Sequence, residues 1–220
     1  MPRTRYSILI FDLDGTLVDS RAAAVAAMAA TADHFQFPPT PKASIDRLLP
    51  LPLADAFREM AGKLVTASTI AAAVAYCRDQ YEEFSQTLTH PYPGMRELLA
   101  DANHRVLAVI TNKERAAAIT DLKVAALLPF FSYVIGVDDV EQPKPDPAPL
   151  LRLLHDTGGF ERNRALVIGD TPLDIHMAHA AGIEACAVLW GIAARSELVA
   201  AAPEYLAGTV TELRRVTGIR

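Results

Sequence analysis

Four acidic residues fall in two short clusters. Asp12 and Asp14 are two apart in Phe11-Asp12-Leu13-Asp14-Gly15-Thr16, and Asp170 and Asp174 are four apart in Gly169-Asp170-Thr171-Pro172-Leu173-Asp174. Between the clusters lie Thr111-Asn112-Lys113 and Lys144. Several carboxylates brought together repel one another, and one would be forced to protonate. A divalent cation relieves that repulsion. Few, hard oxygen ligands with room for water suit Mg²⁺ better than Zn²⁺. Thr111 can donate a hydrogen bond and Lys144 a point charge to a phosphate oxygen. Such a set describes phosphoryl transfer, where catalysis is mainly positioning and charge stabilisation. Asp12 could be the nucleophile, since carboxylates form aspartyl-phosphates. Asp14 could protonate the leaving oxygen and later activate water. Gly15 permits a backbone shape that a Cβ disfavours.

Each residue also has a plainer reading. An Asp-x-Asp pair alone can be a polar turn at a strand end. Thr111 or Asn112 could cap the next helix, worth about 1 kcal/mol. Thr171-Pro172 has the look of an N-cap and first helical residue, with Asp174 favoured at a helix N-terminus by roughly 0.3–1 kcal/mol. Lys144, in Pro143-Lys144-Pro145-Asp146-Pro147, could be an exposed turn lysine. His176 and His179 read as surface or packing residues, Trp190 as a strand-end packing residue, and Arg214-Arg215 as a solvated helix face. There is no Walker-type phosphate loop and no dinucleotide glycine fingerprint.

Hydrophobic patterning shows what would position these groups. Strands are expected at Tyr6–Phe11, Val106–Ile110, Tyr133–Val137, Ala165–Ile168 and Ala185–Leu189. Helices are expected from Asn112, Asp146 and Thr171, with further helical segments after the last strand. This alternation predicts an α/β, Rossmann-like parallel sheet with helices on both faces. Val18–Thr89 shows helical periodicity only, in pieces through Phe35, at Ile45–Leu49, at Leu53–Ala61 and at Ala67–Leu88. It reads as an all-helical domain (18–89) inserted into a core formed by 1–17 and 90–220. Tyr92-Pro93-Gly94 marks the return, with Pro93 suited to a helix start. An open parallel sheet binds ligands at the carboxyl ends of its strands. Asp12, Asp14, Thr111, Asn112 and Asp170 directly follow predicted strands, Asp174 lies just beyond, and Lys144 comes a few residues after its strand. The plainer readings would all have to hold at once, at successive strand ends.

The bulk numbers fit a soluble globular protein. Of 220 residues, 51% are hydrophobic and 21% charged, and the net charge of −5 gives no basic excess for nucleic acid or a membrane surface. The apolar run after the basic first residues is too short for a signal peptide, and no stretch is long enough for a membrane span. Cys77 and Cys186 are far apart and read as reduced, buried thiols. A cytoplasmic protein is expected.

Four motifs, in order, resemble the haloacid dehalogenase superfamily. They are Phe11-Asp12-Leu13-Asp14-Gly15-Thr16-Leu17-Val18-Asp19-Ser20, Val109-Ile110-Thr111-Asn112-Lys113, Lys144-Pro145-Asp146-Pro147 and Gly169-Asp170-Thr171-Pro172-Leu173-Asp174. The resemblance covers nearly the whole chain, and the helical insertion would be the family's cap. It implies that Asp12 attacks phosphorus and that Asp14 is the acid/base. It further implies that Thr111, Asn112 and Lys144 bind phosphate, and that Asp12, Asp14 (through its carbonyl), Asp170 and Asp174 hold Mg²⁺. Asp14 argues against dehalogenase chemistry, whose enzymes lack that acid. Within the superfamily the chain is most similar to phosphoglycolate phosphatases, which implies a small phosphorylated metabolite as partner and a monomer or homodimer. The same core could serve a phosphomutase of the β-phosphoglucomutase kind, an inorganic pyrophosphatase or a non-catalytic regulatory module. The cap stretch Leu49-Pro50-Leu51-Pro52-Leu53 departs from the glycine-containing loop such caps often carry. Arg47, just before it, is the candidate substrate residue in the cap. Hinge closure near Val18–Ser20 and Thr89–Pro93 is expected to exclude water from the intermediate.

Overall fold

The structure, a computed structural model, describes residues 5–49, 51–62, 65–102 and 104–219. The chain forms two compact units, Met1–Asp19 with His90–Arg220, and Ser20–Thr89.

The first unit is built on β1 (Ile8–Phe11), β2 (Val18–Asp19), β3 (His90–Pro91), β4 (Val106–Ile110), β5 (Tyr133–Ile135), β6 (Ala165–Gly169), β7 (Glu184–Val188) and β8 (Tyr205–Ala207). Six of these make one sheet in the order β5-β4-β1-β6-β7-β8, with every pairing parallel. β1 is central because all four of its side chains are apolar and buried. Leu9 and Phe11 join one core with Leu107, Val109, Leu166 and Ile168, while Ile8 and Ile10 join a second with Ala108, Ile110 and Val167. Burying each of the Leu, Ile, Val and Phe side chains stabilises the fold by about 1.5–3 kcal/mol.

Helices of this unit run from Met95 to Asp101, Arg115 to Val124, Ala148 to Asp156, Pro172 to Ala180, Arg195 to Ala200 and Val210 to Thr217. Met95, Leu98, Ala118, Leu122 and Leu213 enter the first core; Leu150, Leu153, Ile175, Ala178 and Leu198 enter the second. The sheet is therefore covered on both faces.

The second unit is all-helical: α1 (Arg21–His34), α2 (Lys42–Leu48), α3 (Leu53–Ala61) and α4 (Ala67–Leu88). The helices after it are then α5 (Met95–Asp101), α6 (Arg115–Val124), α7 (Ala148–Asp156), α8 (Pro172–Ala180), α9 (Arg195–Ala200) and α10 (Val210–Thr217). Ala27, Met28, Ile45, Phe57, Ile70, Ala73 and Cys77 form the second unit's own core. Thr66 starts α4 by accepting from the Thr69 amide at 3.1 Å. Both cysteines are free and buried. Among the described residues, no helix is long and apolar enough to cross a membrane.

Several elements differ from the sequence expectation. Val18–Asp19 is a strand, paired antiparallel with His90–Pro91. Two-residue strands carry no periodicity, so only the distant partner creates them. β8 was not expected for a similar reason: it is a three-residue strand at the sheet edge, paired with β7. α6 begins at Arg115 and α7 at Ala148, each later than expected. Pro93 lies outside α5, whose N-cap is Gly94 at φ +83°.

Candidate active site

The parallel register carries the residues after β1, β4 and β6 to one edge of the sheet. Phe11 is level with Val109 and with Ile168, so Asp12 emerges between the ends of β4 and β6. The Asp12 amide extends the ladder, donating to the Ile168 carbonyl at 2.8 Å. Beyond it the chain folds into a tight turn. The Gly15 amide donates to the Val18 carbonyl at 2.9 Å and the Leu17 amide to the Leu13 carbonyl at 2.9 Å. Gly15 sits at φ +84°, and a Cβ there would lie 2.2 Å from Oδ2 of Asp170. From the other side, a Cβ on Gly191 would also lie 2.2 Å from Asp170 Oδ2. Backbone from two loops thus closes on one carboxylate, which only glycine allows.

Asp12, Asp170 and Asp174 meet here, all buried, with one oxygen from each within 4.8 Å of the others. Asp170 is held at both oxygens. Thr16 Oγ1 donates to Oδ1 at 2.8 Å and the Ile192 amide to Oδ2 at 2.7 Å. Asp174 opens α8: its Oδ2 accepts from the Thr171 amide at 3.1 Å and from Thr171 Oγ1 at 2.6 Å. Its other oxygen accepts from Lys144 Nζ at 2.6 Å, and the same ammonium donates to Asp12 Oδ1 at 2.7 Å. Lys144 is 6% exposed, so the exposed-turn reading of this lysine does not hold.

One lysine cannot balance three carboxylates, and the acids register this. Burial pushes Asp12 well above the usual carboxylate range; Lys144 pulls it back, while Asp174 and Asp170 push it further up. Asp170 is pushed up to about 6, by burial first and by Asp174 second. Burial alone would lower Lys144, but Asp12 and Asp174 together outweigh it and hold the ammonium above its ordinary range. Asp170 and Asp174 thus share the site with Asp12 and one cation, leaving an excess of buried negative charge. An all-oxygen donor set with that excess fits a divalent cation.

The remaining predicted residues divide. Thr111 is buried beyond β4, where its hydroxyl accepts from the Lys113 amide at 3.1 Å. Neither Thr111 nor Asn112 caps α6, whose N-cap is Glu114. Asn112 grips the backbone of Lys144: its Nδ2 donates to the Lys144 carbonyl at 3.1 Å and its Oδ1 accepts from the Lys144 amide at 3.0 Å. Asp14 is ion-paired, its Oδ1 accepting from Lys113 Nζ at 2.7 Å. Arg47 belongs to the helical unit, where it is exposed and donates to Ser44 Oγ at 3.0 Å. Pro50, on which the loop departure was read, lies outside the described residues.

Three contributors escaped the sequence reading. Thr16 and the Ile192 amide grip Asp170. Asp121, fully buried on α6, binds Lys113 Nζ. Its signal was a lone acid between Ala118 and Leu122 on the core-facing side of a helix. Trp190 does more than pack, since its Nε1 donates to the Thr16 carbonyl at 3.2 Å. His176 is exposed, and His179 pairs with Glu204 away from the acidic cluster. Arg214 is ion-paired with Asp101 at 2.6 Å, more than a solvated face.

Comparison with known proteins agrees with this geometry. The profile of the haloacid dehalogenase-like hydrolase family matches residues 9–188. The Dickeya dadantii protein named "Probable phosphatase IndB" is 34% identical, over 94% of this chain and 91% of its own length. The pyrophosphatase PpaX of Bacillus velezensis is 28% identical over 100% of both chains. A phosphoglycolate phosphatase of Rhodospirillum rubrum is 33% identical over 83% of this chain and 79% of its own. A solved haloacid dehalogenase-like hydrolase of Streptococcus pneumoniae superposes with a TM-score of 0.81 at 25% identity, covering 97% of this chain and 99% of that one. The chain belongs to the haloacid dehalogenase-like hydrolase family and groups with its phosphatases.

Proposed function

We propose that this chain is a Mg²⁺-dependent phosphatase that hydrolyses a small phosphomonoester through an aspartyl-phosphate on Asp12. The observation that carries the reading is the Lys144 ammonium, bonded to both Asp12 and Asp174 inside a buried triad of carboxylates. Asp12, Asp170 and Asp174, with the Asp14 carbonyl, would hold the ion. When bound, Mg²⁺ supplies charge that offsets the carboxylates and draws electron density from the phosphoryl oxygens. Lys144 and Thr111 bind and orient the phosphoryl group, and Asn112 acts by fixing the segment that carries Lys144. Lys144 takes one oxygen of Asp12. An Asp12 oxygen attacks phosphorus, the ester P–O bond breaks, and Asp14 gives its proton to the departing oxygen. Asp14 then takes a proton from water, which attacks the phosphoryl group and frees Asp12. The helical unit would act as the cap, with Arg47 its candidate substrate contact. Two free, buried thiols support a cytoplasmic setting.

Phosphoglycolate is the leading substrate, on the likeness to a phosphoglycolate phosphatase and on the motif resemblance. Full-length likeness to PpaX supports a second reading, hydrolysis of pyrophosphate. A phosphate-release panel with and without Mg²⁺ separates them: phosphoglycolate, pyrophosphate and hexose phosphates. Turnover of phosphoglycolate in preference to pyrophosphate and hexose phosphates, lost without Mg²⁺ and abolished in Asp12→Asn with the fold retained, is expected. Undiminished turnover by Asp12→Asn would overturn the nucleophile assignment.

A further inference from the structure

Lys113 spans two acids. Its Nζ donates to Asp14 Oδ1 at 2.7 Å and also to Asp121 Oδ2. Asp121 is fully buried, on the core-facing side of α6 with Ala118 and Leu122. A buried carboxylate there is costly, and an apolar residue of similar volume would pack as its neighbours do. The acid needs a reason, and Lys113 is the cation it meets. The lysine is fixed at its backbone as well: its amide donates to Thr111 Oγ1 at 3.1 Å and its carbonyl accepts from the Val137 amide at 3.0 Å. A lysine stem is otherwise flexible, so a partner in the core is what turns it into a fixed arm. Asp14, by contrast, rides on a turn, and its side chain is 26% exposed.

We propose that Lys113, anchored by Asp121 in the core, is a positioning residue that holds the Asp14 carboxyl group by Oδ1, so that proton exchange with the substrate falls to Oδ2. This rests on the reading of Asp14 as the acid/base. The arm joins the phosphate-binding segment after β4 to the turn after β1. It keeps the proton donor in register with the phosphoryl group that Thr111 binds. Asp121, fully buried on α6, acts through Lys113.

The test is how activity depends on the leaving group. An alkyl phosphate such as phosphoglycolate needs a proton on its departing oxygen, whereas p-nitrophenyl phosphate releases a stable anion without one. The parameter is kcat/KM, which covers steps through loss of the alcohol and excludes the later attack by water. Asp121→Asn and Lys113→Met are each expected to lower kcat/KM for the alkyl phosphate by about 10- to 100-fold, the cost of a misplaced proton donor. For p-nitrophenyl phosphate the loss should be no more than about 3-fold, because no proton transfer is needed there. The double variant Lys113→Met/Asp121→Leu removes both charges together, leaves no buried carboxylate unpaired, and should fold at least as stably as the parent while keeping the same selective loss. Circular dichroism and a melting curve check the fold. Equal losses on both substrates, or no loss, would overturn the proposal. Asp14→Asn separates the two layers. If it shows the selective loss and the Asp121 and Lys113 variants do not, the arm fails and the acid/base reading stands. If Asp14→Asn itself shows none, that reading fails and the arm falls with it.

Discussion

The approach of two loops to Asp170 can be tested as a difference among three glycines. At Gly15 an added Cβ meets Asp170 Oδ2 at 2.2 Å and its Cγ at 2.7 Å, on a backbone at φ +84°. The carboxylate must then swing away from Thr16 Oγ1 and the Ile192 amide, now at 2.8 and 2.7 Å. A hydrogen bond to a charged group contributes about 1.5–3 kcal/mol, so losing or stretching both costs about 3 kcal/mol. Placing alanine at positive φ adds about 1 kcal/mol. Gly15→Ala should therefore destabilise the α/β unit by about 4 kcal/mol, lowering Tm by about 8–16 °C for a chain of this size. Gly191→Ala meets the same oxygen at 2.2 Å without positive φ, and should cost about 3 kcal/mol. Gly158→Ala has φ +71° with nothing within 4 Å, and should cost about 1 kcal/mol. Thermal melts and urea titrations of the metal-free proteins read the series. A Gly15→Ala variant no less stable than Gly158→Ala would refute the predicted clash with Asp170.

Further outcomes follow from the same cluster. Folding raises the Asp170 pKa to about 6, so protonation favours the native state. The metal-free protein should therefore lose about 3 kcal/mol of this contribution as pH rises from about 4 to about 6, the reverse of a salt-bridged acid. Asp170→Asn removes that penalty, so without metal it should be more stable than the parent above pH 6 and no more stable near pH 4; a denaturation series across pH reads the difference. Mg²⁺ should raise the Tm of the parent, by about 2.7 kcal/mol of stability at 100 times its Kd, and raise Asp170→Asn far less; calorimetry with and without Mg²⁺ decides this. Asn112→Ala releases both bonds to the Lys144 backbone and should cost about 1–2 kcal/mol of stability. Because Lys144 is then less firmly placed, kcat measured against the parent is expected to fall about 10-fold.

Much of this was readable in the residues, for definite reasons. β1 and β4 are short apolar runs ended by polar residues, and α3 and α4 were bounded by Pro52, Gly62, Thr66 and Thr89, so their limits were legible. Asp12, Asp170 and Asp174 were legible as a cluster because parallel strands put their carboxyl ends on one edge. Lys144 was not legible as buried. It stands in a proline-rich turn whose surroundings read as surface, and only Asn112, gripping its backbone, and the two acids explain its burial. Asp121 was illegible as a functional residue because its partner Lys113 lies on a loop, outside the helical repeat that α6 shows. The pairing of β2 with β3 joins residues from either side of the helical unit, and no local pattern carries it.

The charges of the α/β unit are sorted into two sets, and the sorting argues for the division of labour between Asp12 and Asp14. Both acids leave β1 within three residues, yet each faces its own lysine. Asp12 turns inward, 8% exposed at its side chain, to Lys144 and the Asp170–Asp174 pair. Asp14 is 26% exposed, and meets Lys113 with Asp121 behind it. The proposed nucleophile suits the first setting, where Lys144 is fixed beside it and both side chains are buried. A proton carrier gains from the second, because it must reach first the leaving oxygen and then water. Had one lysine served both acids, motion of the proton carrier would disturb the nucleophile. Each acid instead meets its own lysine: Lys113, bonded to Asp121 of α6, for Asp14, and Lys144, on the segment that Asn112 holds, for Asp12.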